Sequence, residues 1–212
     1  MHSSCKNALV RKGTERRSSA RERNRRSILD AAQAVLREDP DASLDEVAAR
    51  AGVVRRTVYG HFTSRHDLVV ALVRAASADF VGQIGEVDPD APDPAGELAA
   101  TLLRTWSTSR RYGPVIALAR RTADDEIRAA MAPFHTIMIR LLENGQRAGV
   151  FSRHVAAPVL AEVLQAGSMA YQHAAQDGRW DGDEADVALG HLLTLGVPVA
   201  DARAAVARAT AA

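Results

Sequence analysis

Apolar residues recur at helical intervals along the chain, and after residue 94 no stretch shows the strict alternation of a half-buried strand. The first apolar stripe, over residues 28–36, predicts a helix from about residue 21 that ends before Pro40. Later stripes predict helices near residues 65–83, 95–111, 115–122, 123–131, 158–175 and 183–195. Pro133 either starts another helix, which Gly149 ends, or kinks a longer one. The pattern therefore predicts an all-α fold.

Residues 88–94 are predicted to be a loop between two helical domains, because they contain three prolines among seven residues. The first domain then covers residues 21–83, and the second covers residues 84–212. Residues 1–20 lack apolar periodicity and are predicted to form a disordered arm.

The strongest local signals lie at residues 43–72. Ser43, followed three residues later by Glu46, is a capping box that starts a helix. Gly52 is placed to end that helix in a left-handed conformation, and a short turn then leads to a second short helix. Two helices joined in this way predict a helix-turn-helix, whose second helix presents its polar face to the major groove of DNA.

The segment AGVVRRTVYGHFTSRHDL, residues 51–68, resembles the recognition-helix signature of the TetR family of bacterial transcription regulators. The matching positions are Ala51, Gly52, Val53, Thr57, Tyr59, His61, Phe62, Arg65 and Leu68. Val54 departs from the signature, because the family usually has Ser or Thr there to cap the recognition helix. The resemblance implies an N-terminal three-helix DNA-binding domain and a C-terminal helical domain that binds a small molecule and dimerises.

The predicted DNA-contacting residues are Ser43, Arg55, Arg56, Thr57, Tyr59, His61 and Arg65. The adjacent arginines Arg55 and Arg56 suit base edges or phosphates, since arginine pairs with guanine through two hydrogen bonds. Arg65, in the first turn of a helix, suits a phosphate. The open alternatives are that Tyr59 and His61 only pack around the neighbouring phenylalanine, and that the arginines are merely solvated.

Positive charge is concentrated at the N-terminus. Residues 1–26 hold nine basic and two acidic side chains, a net charge of +7, whereas the whole chain carries only +1. This asymmetry predicts a polyanion partner at one end of the protein. The arm of residues 1–20 then either reaches phosphates or the adjacent minor groove, as basic arms do, or is a solubilising tail.

The resemblance places an effector pocket between the central helices of the second domain. Candidate lining residues combine apolar bulk with a few polar tips: Trp106, Tyr112, Met131, Phe134, His135, Met138 and Tyr171. The alternative is that each of them is ordinary core. A small apolar or amphipathic ligand would act by shifting the helix that begins at Arg65, so that two recognition helices lose their spacing on DNA.

The resemblance also implies a homodimer formed by the helices near residues 158–175 and 183–195, the last two that the pattern predicts. Four small residues would let helices approach closely there: Gly167, Ser168, Ala170 and Gly190. The alternative is packing within one chain. A dimer also suits a palindromic site, because two recognition helices about 34 Å apart read successive faces of the major groove.

Chemistry other than binding is not indicated. The histidines show neither zinc-ligand spacing nor an HExxH motif, and no Gly-rich phosphate loop or nucleophile elbow is present. We therefore expect no enzyme activity, metal or cofactor. His173 and His191 either meet at the dimer interface and titrate near neutral pH or are unrelated polar positions. The single cysteine suits a reducing cytoplasm, and no apolar run is long enough to span a membrane.

Taken together, the residues and the resemblance predict a homodimeric repressor that a small molecule releases from a palindromic operator in double-stranded DNA. The alternative function is that of a nucleoid-type structural protein without an effector pocket. Such a protein would bind random DNA almost as well as any specific site.

Overall fold

The computed structural model describes residues 3–120 and 123–211. Within them it has nine helices and no strand, which confirms the predicted all-α fold. The helices are α1 (Ser3–Glu38), α2 (Leu44–Ala51), α3 (Arg55–Tyr59), α4 (Arg65–Ile84), α5 (Pro94–Ala119), α6 (Asp124–Arg147), α7 (Ala157–Gln176), α8 (Glu184–Thr194) and α9 (Val199–Ala211). None of these helices combines the length and the apolar character needed to cross a membrane.

The chain divides into two compact units within α4, between Leu72 and Val73. The sequence places this boundary later, at residue 83. The division is earlier because Phe80 packs against the core of the second unit and the Tyr112 hydroxyl donates a hydrogen bond to Asp79. The C-terminal part of α4 therefore belongs to the second unit, with α5 to α9.

The apolar stripe of α1 forms much of the core of the first unit, where α1 packs against α2. Ile28 and Ala32 of α1 are fully buried, and so are Val47 of α2 and Val58 of α3. Burying an aliphatic side chain of this kind stabilises the fold by about 1.5–3 kcal/mol. The stripe is therefore what holds the helix-turn-helix in place.

The helix α1 begins at Ser3, where the sequence predicted a disordered arm through residue 20. Arg, Lys, Glu and Ala in this stretch have high helix propensities, and a helix already formed over residues 21–38 gains one hydrogen bond for each residue it adds. Residues 1 and 2 and the basic side chains before residue 19 lie outside the described residues. The predicted contact between the arm and DNA therefore stays a prediction.

The central helix of the second unit is α5, which contacts α6, α7, α8 and α9. It continues through Gly113 and Pro114, where the sequence predicted a break and a separate helix. Packing on four helices offsets the roughly 3 kcal/mol that proline costs in a helix interior. Helix α6 likewise continues through Pro133, so of the two alternatives at that residue the single long helix is correct.

Helix α9 follows α8 where the apolar pattern predicted no further helix. Pro198 immediately precedes it, and the Pro198 carbonyl accepts a hydrogen bond from the Ala202 N–H at 2.9 Å. Its buried face consists of Ala202, Ala205 and Val206. A stripe made mostly of alanine is a weak apolar signal, which explains the omission. The prediction that α7 and α8 are the last two helices is therefore wrong.

Candidate nucleic-acid interface and small-molecule cavity

The predicted capping box at the start of α2 is formed. The Glu46 N–H donates to Ser43 Oγ at 3.3 Å, and the Ser43 N–H donates to Glu46 Oε2 at 2.7 Å. The Ser43 N–H, and then the Ser43 hydroxyl, donate to the Glu46 carboxylate and hold the pKa of that carboxyl below its usual value. The Ser43 hydroxyl, predicted to contact DNA, also donates to the Glu46 carboxylate, so its first role is to fix the helix start.

The turn between α2 and α3 depends on Gly52, whose φ of 66° lies in the left-handed region that glycine adopts without strain. Val54 then begins α3 with an extended backbone, φ −72° and ψ 146°, and its side chain makes no capping hydrogen bond. At 71% exposure, Val54 is also one of the most exposed large apolar side chains described. The backbone at Val54 therefore has the conformation of an N-cap residue, but no side chain caps the first turn of α3.

Replacing Val54 with serine should supply the missing cap, because the backbone already has the required conformation. A cap of this kind stabilises a helix start by about 1 kcal/mol, so amide exchange over residues 55–60 should slow about fivefold in hydrogen-exchange mass spectrometry. Val54→Ala removes the same apolar surface without adding an acceptor and is the matched control. Equal exchange in the two variants would contradict the prediction.

Arg55 is held by two neighbours. The Arg55 Nε lies 2.7 Å from Asp45 Oδ1 and forms an ion pair with it, but the N–H does not point at that oxygen, so the two make no hydrogen bond. The Arg55 guanidinium lies 5.5 Å from the centre of the Tyr59 ring. A hydrogen bond to Tyr59, and then the charge of Asp45, raise the pKa of Arg55. Because both members of the ion pair are largely exposed, water screens the pair and it adds little to the stability of the fold.

Arg56 is exposed, and within the described part of the chain its side chain makes no hydrogen bond or ion pair. Tyr59 is 42% exposed and Thr57 is half-buried on the same short helix. The opposite face of α3 is anchored by Val58, which is fully buried. The fold therefore brings Arg55, Arg56 and Tyr59 together on one solvent-facing surface, as the sequence predicted.

The side chains of Arg65 and His61 are less available to DNA than those of Arg55 and Arg56. The Arg65 guanidinium donates to the backbone carbonyl oxygens of Pro40 and Ala42, and so fastens α4 to the connection between α1 and α2. His61 is partly buried, and that burial, followed by the charges of Arg21 and Arg25, lowers its pKa. A neutral His61 still has an N–H to donate, but it does not bring positive charge to a phosphate.

The second unit encloses a cavity of about 190 Å³ between α4, α5, α6 and α7. Five of the seven predicted pocket residues line it: Tyr112, Met131, Phe134, His135 and Met138. The other two, Trp106 and Tyr171, do not line it. Each packs instead against Trp180, with ring centres 5.9 Å and 5.1 Å apart respectively. Among the described residues no cluster of histidine, cysteine or carboxylate side chains is suited to a metal ion.

A family model described as bacterial regulatory proteins, tetR family, matches residues 28–72, the segment that contains the helix-turn-helix. This segment of the chain is therefore similar to the DNA-binding segment of tetR-family regulators. Regulators of this family are transcription factors rather than enzymes. The resemblance drawn from residues 51–68 is therefore confirmed.

One tetR-family relative is the HTH-type transcriptional repressor LfrR of Mycolicibacterium smegmatis, which is 40% identical over 99 residues. That match covers 47% of this chain and 50% of the length of LfrR, so the chain spans about half of this relative. The solved structure of LfrR from Mycobacterium smegmatis in complex with proflavine is 28% identical and has a TM-score of 0.64, covering 84% of this chain and 96% of that one. The fatty acid degradation regulator FadR from Bacillus halodurans shares the fold, with a TM-score of 0.69 at 20% identity, over 82% of this chain and 95% of that one.

Sequence reasoning missed several cavity residues, among them Phe80, Thr101, Thr105, Thr108 and Arg120. The three threonines precede Tyr112 at helical spacing along α5, and all four side chains are buried. The Thr101 and Thr105 hydroxyls donate to the carbonyl oxygens of Glu97 and Thr101, both at 2.8 Å. The available signal was the run of three threonines at helical spacing that leads to Tyr112 along one face of α5.

Two of the small residues predicted to serve the dimer pack against side chains of the same chain. A Cβ at Gly167 would lie 2.9 Å from the His191 ring, and one at Gly190 would lie 2.1 Å from the Tyr171 hydroxyl. His191 itself is 2% exposed, and its Nε2 lies 2.9 Å from Ser168 Oγ. Burial lowers the pKa of His191 to about 4, so of the two alternatives for this residue, titration near neutral pH does not hold in the folded chain.

The buried His191 should make the fold sensitive to acid. In the unfolded chain His191 binds a proton near pH 6.5, whereas in the folded chain it binds one only near pH 4. The free energy of unfolding therefore falls as the pH drops from 6.5 to 4. Between pH 7 and pH 5 the loss should be about 2 kcal/mol in the free energy of unfolding. His191→Gln keeps a polar group opposite Ser168 but does not titrate. Urea titrations of both proteins should show the extra loss in the parent alone, and parallel pH profiles would contradict it.

Proposed function

We propose that this protein is a homodimeric transcriptional repressor that binds a palindromic operator through α3 and leaves it when a small molecule fills the cavity of the second unit. The observation that carries the proposal is the exposed surface of Arg55, Arg56 and Tyr59 on a helix-turn-helix. The similarity to the repressor LfrR supports repression rather than activation of transcription. Because its partner is the bacterial chromosome, we place the protein in the cytoplasm.

In this proposal the DNA-contacting residues have unequal roles. Arg56 reads a base edge, because no other described group competes for its guanidinium. Arg55 leaves Asp45 and pairs with a base or a phosphate, and this exchange costs little because the ion pair with Asp45 is exposed to water. Thr57 and Tyr59 contact phosphates or thymine methyl groups. Ser43, His61 and Arg65 assist through backbone placement and phosphate contacts.

The proposed dimer interface uses the outward faces of α7 and α8. Val159 and Val163 of α7 and Leu193 of α8 are 50%, 44% and 39% exposed. The valines lie one helical turn apart, so they form a continuous apolar strip on α7. Exposed apolar side chains grouped in this way are typical of protein–protein contacts. Association through them would supply the two recognition helices that a palindrome needs.

The effector acts, in this proposal, through α4. Its first part, up to Leu72, belongs to the DNA-binding unit, while Ala76, Ser77 and Phe80 line the cavity. A ligand that binds more tightly to one position of the cavity-lining part of α4 therefore shifts α4 towards that position. Because the first part of the same helix belongs to the DNA-binding unit, the shift reaches that unit. The presence of proflavine in the solved structure of LfrR supports a small-molecule effector.

The basic arm is proposed to bind phosphates in the same complex. Removing residues 1–20 should flatten the salt dependence of operator binding, by about 0.9 in the log–log slope for each phosphate that the arm no longer neutralises. A full-length variant with Lys6, Arg11, Lys12, Arg16 and Arg17 changed to glutamine separates charge from length. Anisotropy titrations at several salt concentrations should give both variants the same reduced slope. An unchanged slope would mean that the arm does not touch DNA.

The proposal is tested by selecting DNA from a random duplex library with the purified protein. A specific dimer should enrich an inverted repeat whose half-sites are centred about one or two helical turns apart. The nucleoid-type alternative predicts no enriched sequence. An enriched single half-site would keep the specific regulator but reject the palindrome.

A further inference from the structure

We infer that the cavity of the second unit accepts a small amphipathic carboxylate, with its charged end on Arg120 and its apolar body against the aromatic and aliphatic wall. The inference rests on the effector role proposed above and gives that role a chemical class. It starts from the charge of the cavity lining. Among the described lining residues none is aspartate or glutamate, whereas Arg120, His135 and His173 are all present.

The Arg120 guanidinium is incompletely paired. Its Nε is buried and has no hydrogen-bond partner among the described residues. Its Nη1 lies 4.0 Å from Asp124 Oδ1, while the other oxygen of that carboxylate lies 2.5 Å from Arg128 Nη2. Asp124 is therefore bound mainly to Arg128, and Arg120, which lines the cavity, keeps donors available. A buried N–H without an acceptor is costly, and an anionic acceptor removes that cost.

The rest of the lining suits an apolar body. Phe80 and Phe134 meet edge to face, with ring centres 5.0 Å apart, and Leu102, Ile127 and Met138 complete an apolar wall. The volume of about 190 Å³ is below the roughly 300–1,000 Å³ of sites for drug-sized ligands, so a small ligand fits best. A carboxylate is the anion whose two oxygens match the planar fork of an arginine.

The test uses octanoate, 1-octanol and octylamine, which share one apolar chain and differ in the charge of the head group. Isothermal titration calorimetry on the full-length protein should show octanoate binding at least about tenfold tighter than either of the others. Arg120→Gln should abolish that preference while leaving the affinity for octanol unchanged. Arg140→Gln removes an exposed arginine of α6 that does not line the cavity, and should behave like the parent.

Equal affinity for the three compounds, absence of octanoate binding, or an octanoate preference that survives Arg120→Gln would overturn the inference. Tryptophan fluorescence of each variant checks that the second unit is folded, because both tryptophans lie in it. Anisotropy of an operator duplex, measured separately with octanoate, tests the proposed function. Arg120-dependent binding without DNA release would uphold the site and reject the regulatory coupling.

Discussion

For the proposed dimer on its operator, we expect Arg56→Ala to weaken binding by about 2–6 kcal/mol per dimer, while the affinity for random DNA changes far less. The expected size follows from removing, in each of two subunits, one bidentate arginine–guanine pair worth about 1–3 kcal/mol. Arg56 is the strongest candidate for this pairing because its exposed side chain makes no hydrogen bond or ion pair in the described part of the chain. Anisotropy titrations on operator and random duplexes give the two affinities directly.

Arg203→Ala is the control for Arg56→Ala. It removes the same charge from an exposed position on α9 in the second unit, and it should leave both affinities close to those of the parent. Equal losses on operator and random DNA would remove Arg56 from the set of base-reading residues. Such a result would make it a phosphate contact, since phosphate contacts weaken all sequences alike.

Gly145→Ala lowers the free energy of unfolding of the second unit by about 3 kcal/mol. Gly145 is buried in α6, and a Cβ there would lie 2.0 Å from Cδ2 of the Phe151 ring. Phe151 cannot move away easily, because it is 2% exposed and its N–H donates to the Gly145 carbonyl at 3.0 Å. Urea unfolding followed by tryptophan fluorescence reports this unit, since it contains both tryptophans.

Gly82→Ala is the matched control, because Gly82 is also inside a helix but a Cβ there meets nothing within 4 Å. This change should stabilise the protein by about 0.5–1 kcal/mol, the usual advantage of alanine over glycine in a helix. The two glycine substitutions should therefore move stability in opposite directions. If both stabilise, Phe151 does not pack on Gly145 as tightly as the structure shows.

The helix-turn-helix was predictable because its signals are local. The Ser43–Glu46 capping box and the left-handed Gly52 each specify the backbone within four residues, and both are formed as predicted. The Val54 departure from the family signature also has its expected structural counterpart, an N-terminus of α3 without a side-chain cap. Caps and glycines of this kind act before any tertiary contact is made, so the sequence alone reveals them.

The second unit was predicted less completely because its decisive contacts join distant residues. Pro114 gave a local stop signal, yet α5 continues because four other helices pack on it. Arg120 shows no local pattern, and its place at the cavity depends on α4, α6 and α7 assembling around α5. Gly167 and Gly190 were correctly read as sites of close approach, but their partners, His191 and Tyr171, lie in the same chain.

The central claim, that this protein is a sequence-specific dimeric regulator, is tested most directly by one anisotropy titration. The duplex enriched by selection is compared with a scrambled duplex of equal length and composition, at about 150 mM salt where non-specific phosphate contacts are weak. We predict a preference of about a thousandfold or more and two protomers per enriched duplex. Near-equal affinity for the two duplexes, or one protomer bound per duplex, would contradict the account.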